Sequence, residues 1–338
     1  YCSSLNKVIY RITACLFFSG LLACNQSDMF KEEQYKKVLY VLSDDNMAFQ
    51  VVHSLNETES TGYLTLYAGG TLDIDQDITF TLEPDEELLG EYNLLNYDLD
   101  TDKYAKRLDS SKYTIESYSV TMKQGGEMPY ALLPIKIRPE GLSPDSLYMI
   151  PLKLTGVSAY EINPKKNRVL YQVVLENDFA SEKDNTLMSM RGTRQVGDGP
   201  VSKIAANKRM YPLSKQEVRI NAGMENSGNK ADLELINKYS VIVKIGEEKT
   251  LNYKGVSYYP LTVYPYNKEN IQVEMLGSEE DKEVLTVAES NRYGEELGIM
   301  RFHISYRYRT LVTPASGGLE AEWSDWVVVT ENMKQLAK

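Results

Sequence analysis

The chain has 338 residues, which is enough for two domains of ordinary size. Its formal net charge is −11 and it contains no dense cluster of Lys and Arg, so binding to nucleic acid or to anionic lipid head groups is not expected. The three cysteines, Cys2, Cys15 and Cys24, all lie near the N-terminal end, which excludes a disulfide or a cysteine metal site in the rest of the chain.

The N-terminal segment has the pattern of a bacterial lipoprotein signal. Lys7 and Arg11 precede a stretch rich in Ile, Leu, Phe and Ala, which is shorter than the roughly 20 apolar residues that a spanning helix needs. The stretch ends at Leu21-Leu22-Ala23-Cys24, which resembles the lipobox of bacterial lipoproteins. We therefore predict a signal peptide over residues 1–23, lipidation of Cys24 and a polar tether over residues 24–36. A short anchor helix with an incidental cysteine is the alternative.

The next part of the chain alternates between apolar and polar residues, as half-buried strands do. Turn signals such as Gly69-Gly70 and Asn163-Pro164 separate these segments. Many short strands with such punctuation predict an Ig-like β-sandwich domain over residues 37–178, with one short helix at Asp102–Leu108. The predicted strands are Val38–Leu42, Tyr63–Tyr67, Ile78–Leu82, Ser117–Met122, Leu132–Ile137, Tyr148–Leu154 and Arg168–Leu175.

The character of the sequence changes after this domain, where polar residues and glycines replace the alternation. We predict a linker over residues 179–207 and a second β-rich domain, sandwich or barrel-like, over residues 208–335. Asp232–Asn237 can form one helical turn. The fold class is therefore all-β. The strands predicted in the second domain are Val218–Ala222, Tyr239–Ile245, Val256–Tyr264, Ile271–Met275, Val284–Ala288, Met300–Tyr308 and Trp326–Val329.

The sequence offers little support for catalysis, a cofactor or a metal. His53 and His303 are the only histidines and lie in different predicted domains, and no Gly-x-Ser-x-Gly elbow occurs. Paired carboxylates occur, but no motif distinguishes any pair as glycosidase residues. Asp98, Asp100 and Asp102 have the spacing that begins a calcium loop, yet Lys103 stands where the loop needs glycine. We predict no catalytic residues, no cofactor and no metal site.

The aromatic residues of the second domain give the best indication of function. Exposed Tyr and Trp rings can stack on the apolar faces of sugars while polar neighbours bind the hydroxyl groups. Tyr306, Tyr308, Trp323 and Trp326 are the candidates for such a platform, and Trp323 is the strongest because its sequence neighbours are polar. The alternative is that these rings fill the core, as Tyr and Trp do in many strands.

Two sets of residues resemble a known family. Leu132-Leu133-Pro134-Ile135-Lys136-Ile137, Gly141-Leu142-Ser143-Pro144-Asp145-Ser146, Tyr148-Met149-Ile150-Pro151-Leu152 and Asp178-Phe179-Ala180 resemble the N-terminal β-sandwich domain of unknown function in Bacteroidetes surface lipoproteins. Lys208-Arg209-Met210-Tyr211-Pro212-Leu213-Ser214 and Tyr306-Arg307-Tyr308-Arg309 resemble the C-terminal domain paired with it. The resemblance implies a place in a polysaccharide-utilisation locus, beside an outer-membrane glycan importer. It brings no site residues to this chain, and the Asp-x-x-Asp-x-Asp-x-Glu strand of related hydrolases is absent.

Three functions follow from these observations. The leading one is a non-catalytic, lipid-anchored outer-membrane protein on the cell surface that binds a glycan or mediates adhesion, with a glycan importer complex as a further partner. The second is a structural or adhesive module that contacts proteins and has no affinity for glycans. The third is a hydrolase whose site the sequence does not reveal.

Overall fold

The computed structural model describes residues 36–70, 73–227, 232–253, 255–277 and 291–335. The predicted signal segment, Cys24, all but the last residue of the predicted tether and the predicted strand Val284–Ala288 lie outside these residues. The described residues form two β domains, which confirms the predicted fold class. None of their helices is both long and apolar enough to cross a membrane.

The N-terminal domain is a sandwich of two sheets. One sheet has the strand order β10-β1-β3-β8-β6, and the other has the order β2-β11-β9-β4-β7 with β5 beside β9. The strands are β1 (Val38–Val41), β2 (Ala48–Ser54), β3 (Ser60–Gly69), β4 (Ile78–Pro84), β5 (Lys106–Arg107), β6 (Tyr113–Thr114), β7 (Ser119–Met122), β8 (Tyr130–Ile137), β9 (Tyr148–Val157), β10 (Glu161–Ile162) and β11 (Arg168–Glu176).

The core of this sandwich follows from the period-two pattern. Alternate residues of β3 and β8, such as Leu64, Leu66, Leu133 and Ile135, are fully buried, while the residues between them are more exposed. Phe80 on the facing sheet belongs to the same cluster. Burial of apolar side chains between two sheets is what fixes the register of each strand.

The helix of this domain does not lie at the predicted position. Helix α1 spans Leu88–Tyr97, whereas Asp102–Leu108 contains a short 3₁₀ turn and β5. Asn93 of α1 binds the main chain of Ala105 in both directions, at 2.8 and 3.0 Å, and this anchors the segment in an extended conformation. The prediction missed α1 because a polar residue, Asn93, is one of its two buried residues while Leu95 is exposed, which weakens the amphipathic pattern.

The C-terminal domain is one curled sheet with the strand order β13-β12-β23-β21-β20-β18-β16-β15-β14; β17 pairs with β18, and β19 and β22 pair with β21. Its helix α2 spans Leu233–Tyr239, close to the predicted helical turn. The strands are β12 (Leu187–Val196), β13 (Ser202–Arg209), β14 (Tyr211–Ser214), β15 (Glu217–Asn221), β16 (Ser240–Ile245), β17 (Leu251–Tyr253), β18 (Val256–Pro265), β19 (Ile271–Met275), β20 (Arg292–Glu296), β21 (Ile299–Thr313), β22 (Glu322–Trp323) and β23 (Val327–Gln335).

The two ends of this sheet meet. Strands β13 and β14 are the first and last strands in the order of the sheet, yet Met210 is the single residue between them in the chain. The sheet must therefore curl into a barrel-like body with a seam between β13 and β15, where the ladder of main-chain hydrogen bonds is interrupted. Met210 is buried at this seam.

The prediction of a linker over residues 179–207 must be corrected. Most of this range belongs to β12 and β13, and β12 pairs with β23 over nine residues. Gly192, one of the glycines that suggested a loop, lies within β12, where a Cβ atom would stand 1.7 Å from the Thr330 carbonyl oxygen. A glycine that permits close approach between strands gives the same sequence signal as a loop glycine.

Candidate functional site

Two of the four predicted aromatic site residues are core residues. Tyr306 and Tyr308 are 0% and 1% exposed, on the same face of β21 as Phe302 and Ile304. Tyr306 donates a hydrogen bond to Glu331 Oε1 at 2.6 Å, and burial raises its pKa well above the usual value. Neither Tyr306 nor Tyr308 can stack on a ligand at the surface, so the predicted four-residue platform is wrong in this respect.

Trp323 lines an open cleft of about 490 Å³, which we call the Trp323 cleft. Helix α2, the turn before β19 and the hairpin between β21 and β22 form its walls. The Asn270 carbonyl oxygen accepts a hydrogen bond from the Leu311 main-chain nitrogen at 2.8 Å, and this bond joins the turn to the hairpin. The Ser324 main-chain nitrogen donates to the Thr310 carbonyl oxygen at 2.9 Å, which fixes the backbone beside Trp323.

The Trp323 cleft combines apolar surface with polar groups. Val312 is exposed and lies with Pro314 and the half-buried Trp323 ring on the apolar side. The polar side of the cleft is formed by Glu234, Lys238, Glu269 and Asn270. A flat apolar surface with a few convergent carboxylate, ammonium and amide groups can hold the C–H face of a sugar and bind its hydroxyl groups.

Trp326 lies close to Trp323 but is not part of the cleft wall. The guanidinium groups of Arg307 and Arg309 lie 4.6 and 4.7 Å from the centre of the Trp326 ring, and Arg309 lies 5.6 Å from that of Trp323. Arg309 also donates to Gln272 at 2.8 Å, and Arg307 pairs with Glu274. The structure thus brings the two tryptophans together and leaves Tyr306 and Tyr308 on the other face of β21.

A second cleft, of about 440 Å³, opens at the seam between β13 and β15. We call it the seam cleft. Its wall contains Lys208, whose buried ammonium group pairs with the fully buried carboxylate of Glu331. Burial lowers the pKa of Lys208, and this effect outweighs the negative charge of Glu331, which raises the pKa of Lys208. The sequence signal that could have revealed this pair is a Lys and a Glu, each at a core position of an alternating strand.

The histidines occupy structural positions. His53 is 0% exposed, and its ring nitrogens lie 3.1 Å from Ser60 Oγ and 2.8 Å from the Tyr171 hydroxyl group. Burial lowers the pKa of His53 to about 4. His303 lies on the outer face of β21, where Nδ1 contacts Asn332. Within the described parts of the chain, no three His, Cys, Asp or Glu side chains are grouped so that they could hold a metal ion.

Two family models cover most of the chain. A model of an N-terminal domain matches residues 34–161, and a model of a C-terminal domain matches residues 167–334. The boundary between the matches precedes β11, although this strand pairs with β2 and β9 of the N-terminal sandwich. Among curated proteins, none matches this chain.

Solved structures with the same two-domain fold come from Bacteroides. A protein of unknown function from Bacteroides ovatus has a TM-score of 0.56 at 13% identity, with 92% of this chain and 95% of that chain covered. A multidomain protein from the same organism has a TM-score of 0.54 at 13% identity, with 90% and 96% covered. An auxiliary nutrient binding protein from Bacteroides thetaiotaomicron has a TM-score of 0.53 at 14% identity, with 85% and 90% covered. At these identities the similarity establishes the shared fold.

Proposed function

We propose that this chain, which carries the N-terminal and C-terminal domains of the two family models in succession, is a non-catalytic glycan-binding protein of the bacterial cell surface. The observation that carries the proposal is the Trp323 cleft, where a half-buried indole ring lies with apolar residues beside carboxylate and amide groups. The fold shared with an auxiliary nutrient binding protein supports a role in capture rather than in turnover. In this role the protein holds a polysaccharide near an outer-membrane importer.

The proposed location rests on the sequence before the described residues. Lipid on Cys24 would tether the two domains to the outer membrane, because two or more acyl chains suffice for stable anchoring. Labelling of cells with a palmitate analogue, with the natural gene and with a Cys24→Ser variant, tests this part separately. We expect label on the natural protein alone, and label on neither protein would overturn the lipid anchor.

Affinity electrophoresis against a panel of host and plant polysaccharides tests the glycan proposal. We expect retardation by at least one polysaccharide, and a Trp323→Ala variant that binds about tenfold more weakly, which corresponds to about 1.4 kcal/mol. Tyr63→Ala is the matched control, because Tyr63 is an exposed aromatic residue of the N-terminal domain, far in the chain from the cleft. Its binding should equal that of the natural protein.

A second set of variants tests the polar side of the cleft. Glu269→Gln and Asn270→Ala should weaken binding to the same polysaccharide while the protein remains folded, as judged by circular dichroism and thermal unfolding. A folded protein that binds nothing on the panel would overturn the proposal. If that protein also co-purified with one stable protein partner, the alternative function of a protein-contacting adhesive module would be supported. Release of sugar from any oligosaccharide, abolished by one Asp or Glu substitution, would show an enzyme instead.

A further inference from the structure

The seam cleft is structurally independent of the Trp323 cleft. It lies where the two ends of the C-terminal sheet approach each other, and β13 and the turn after β15 contribute its walls. Its volume of about 440 Å³ falls in the range of roughly 300–1,000 Å³ that is usual for small-molecule sites.

The walls of the seam cleft carry polar groups that can bind hydroxyl groups. Asn207 and Asn221 both line the cleft, and their side chains make no hydrogen bond to another residue that the structure describes. Each carboxamide has an NH2 group that donates hydrogen bonds and an oxygen that accepts them. It can therefore donate to the oxygen of a sugar hydroxyl group or accept from its O–H. Tyr211 adds an aromatic ring, and the Arg219 guanidinium, 4.3 Å from its centre, stacks against it.

The charged groups at the floor and on the wall of the cleft offset one another. Lys208 pairs with Glu331, and the other oxygen of Glu331 accepts hydrogen bonds from the Tyr306 hydroxyl group at 2.6 Å and from the Gly223 main-chain nitrogen at 2.9 Å. Glu225, on the wall, accepts a hydrogen bond from Tyr308 at 2.7 Å. Arg209 also lies on the wall, so the charges of Lys208 and Arg209 offset those of Glu225 and Glu331, and the cleft favours a neutral ligand over a free anion.

From this arrangement we infer that the seam cleft is a second ligand site, which takes a short, neutral, polyhydroxylated saccharide. The inference rests on the proposed function for the class of ligand, whereas the position and chemistry of the site rest on the cleft itself. Two binding sites on one domain would let the protein hold a glycan at two points, which strengthens capture without any single tight contact.

Calorimetric titration of the mature protein with neutral gluco-, xylo- and manno-oligosaccharides of increasing length tests this inference. An oligogalacturonate series provides the charged comparison. The double variant Asn207→Ala/Asn221→Ala removes the carboxamides of the seam cleft, and Trp323→Ala removes the ring of the other cleft. Lys203→Ala, on the same strand as Asn207 but outside the cleft wall, is the matched control. Thermal unfolding verifies that each variant is folded.

We expect a neutral oligosaccharide to bind the natural protein at two sites. The double variant should lose binding at the seam cleft and keep binding at the Trp323 cleft, and Trp323→Ala should do the reverse. Binding that is unchanged in the double variant and abolished by Trp323→Ala would overturn the second site and leave the proposed function intact. Loss in the double variant alone would support the seam cleft and count against the Trp323 cleft. Absence of binding to every probe would overturn both, and a preference for oligogalacturonate would overturn the neutral ligand class.

Discussion

Arg219 of the C-terminal domain donates a hydrogen bond from its guanidinium group to Asp145 of the N-terminal domain, and both side chains are almost completely buried. Tyr266 donates to the other oxygen of Asp145 at 3.1 Å, and Arg219 also donates to Ser240 at 3.2 Å. The guanidinium lies 4.3 Å from the Tyr211 ring and 5.4 Å from the Tyr266 ring. This buried ion pair couples the two domains and orients Tyr211 at the seam cleft.

Removal of one partner of this pair should destabilise the protein strongly. We expect Asp145→Ala to lower the free energy of unfolding by about 3–5 kcal/mol, because the substitution leaves the Arg219 charge buried without its counter-ion. Denaturant unfolding, followed separately by the near-ultraviolet and far-ultraviolet circular dichroism signals, measures the loss. The double variant Asp145→Leu/Arg219→Met removes both charges and should recover most of it. A single variant as stable as the natural protein would contradict the role assigned to this pair.

His53 should make the stability of the N-terminal domain depend on pH. Burial lowers its pKa from about 6.5 to about 4 in the folded state, so the folded protein favours the neutral ring. The unfolded chain therefore binds more protons between these two values, and the stabilisation present above pH 6.5 is lost as the pH falls through 4. The loss is on the order of 3 kcal/mol.

The His53→Gln variant isolates this effect because glutamine keeps hydrogen-bonding capacity but does not titrate. We expect the free energy of unfolding of the natural protein to fall more than that of this variant as the pH is lowered from 7 to 4. Parallel stability curves over this range would show that His53 titrates alike in the folded and unfolded chain. Acidic side chains shared by both proteins cancel in the comparison.

Gly192 and Gly90 should respond in opposite directions to the same substitution. In Gly192→Ala the new Cβ would meet the Thr330 carbonyl oxygen at 1.7 Å, so β12 and β23 must separate. In Gly90→Ala the new Cβ meets no atom within 4 Å, and alanine favours helix α1 by about 0.5–1 kcal/mol. Thermal unfolding should therefore show a large decrease for the first variant and a small increase for the second. A Gly192→Ala protein of natural stability would contradict the close approach of these strands.

The alternation of apolar residues predicted most strands because each sheet buries one face. The same pattern gave wrong predictions where a polar residue is buried or an apolar residue is exposed. Helix α1 buries Asn93 and exposes Leu95, and β12 contains Gly192 at a close approach between strands. The range predicted as a linker therefore became part of the sheet.

The site was predicted less well than the fold because a strand pattern does not tell which face meets the core. Tyr306 and Tyr308 alternate with Arg307 and Arg309, and the sequence allowed either set to face outward. The polar neighbours of Trp323 did indicate its partly exposed position. The seam cleft was not predicted, because it lies where β13 approaches β15, and because the charge pair at its floor joins Lys208 of β13 to Glu331 of β23, 123 residues along the chain.

The Lys208–Glu331 pair should reveal itself through the stability of variants that remove one or both of its charges. Lys208→Met leaves the Glu331 carboxylate fully buried, and among the described residues the Tyr306 hydroxyl group and the Gly223 main-chain nitrogen remain as its donors. We expect a loss of about 3–5 kcal/mol at neutral pH. The reason is that a buried charge that has lost its counter-ion keeps its desolvation penalty without compensation.

The double variant Lys208→Met/Glu331→Gln removes both charges and should recover most of this loss, because no unpaired charge then remains buried. Chemical unfolding at neutral pH measures the natural protein and both variants. A Lys208→Met protein as stable as the natural protein, or a double variant no more stable than Lys208→Met, would contradict the role assigned to this pair.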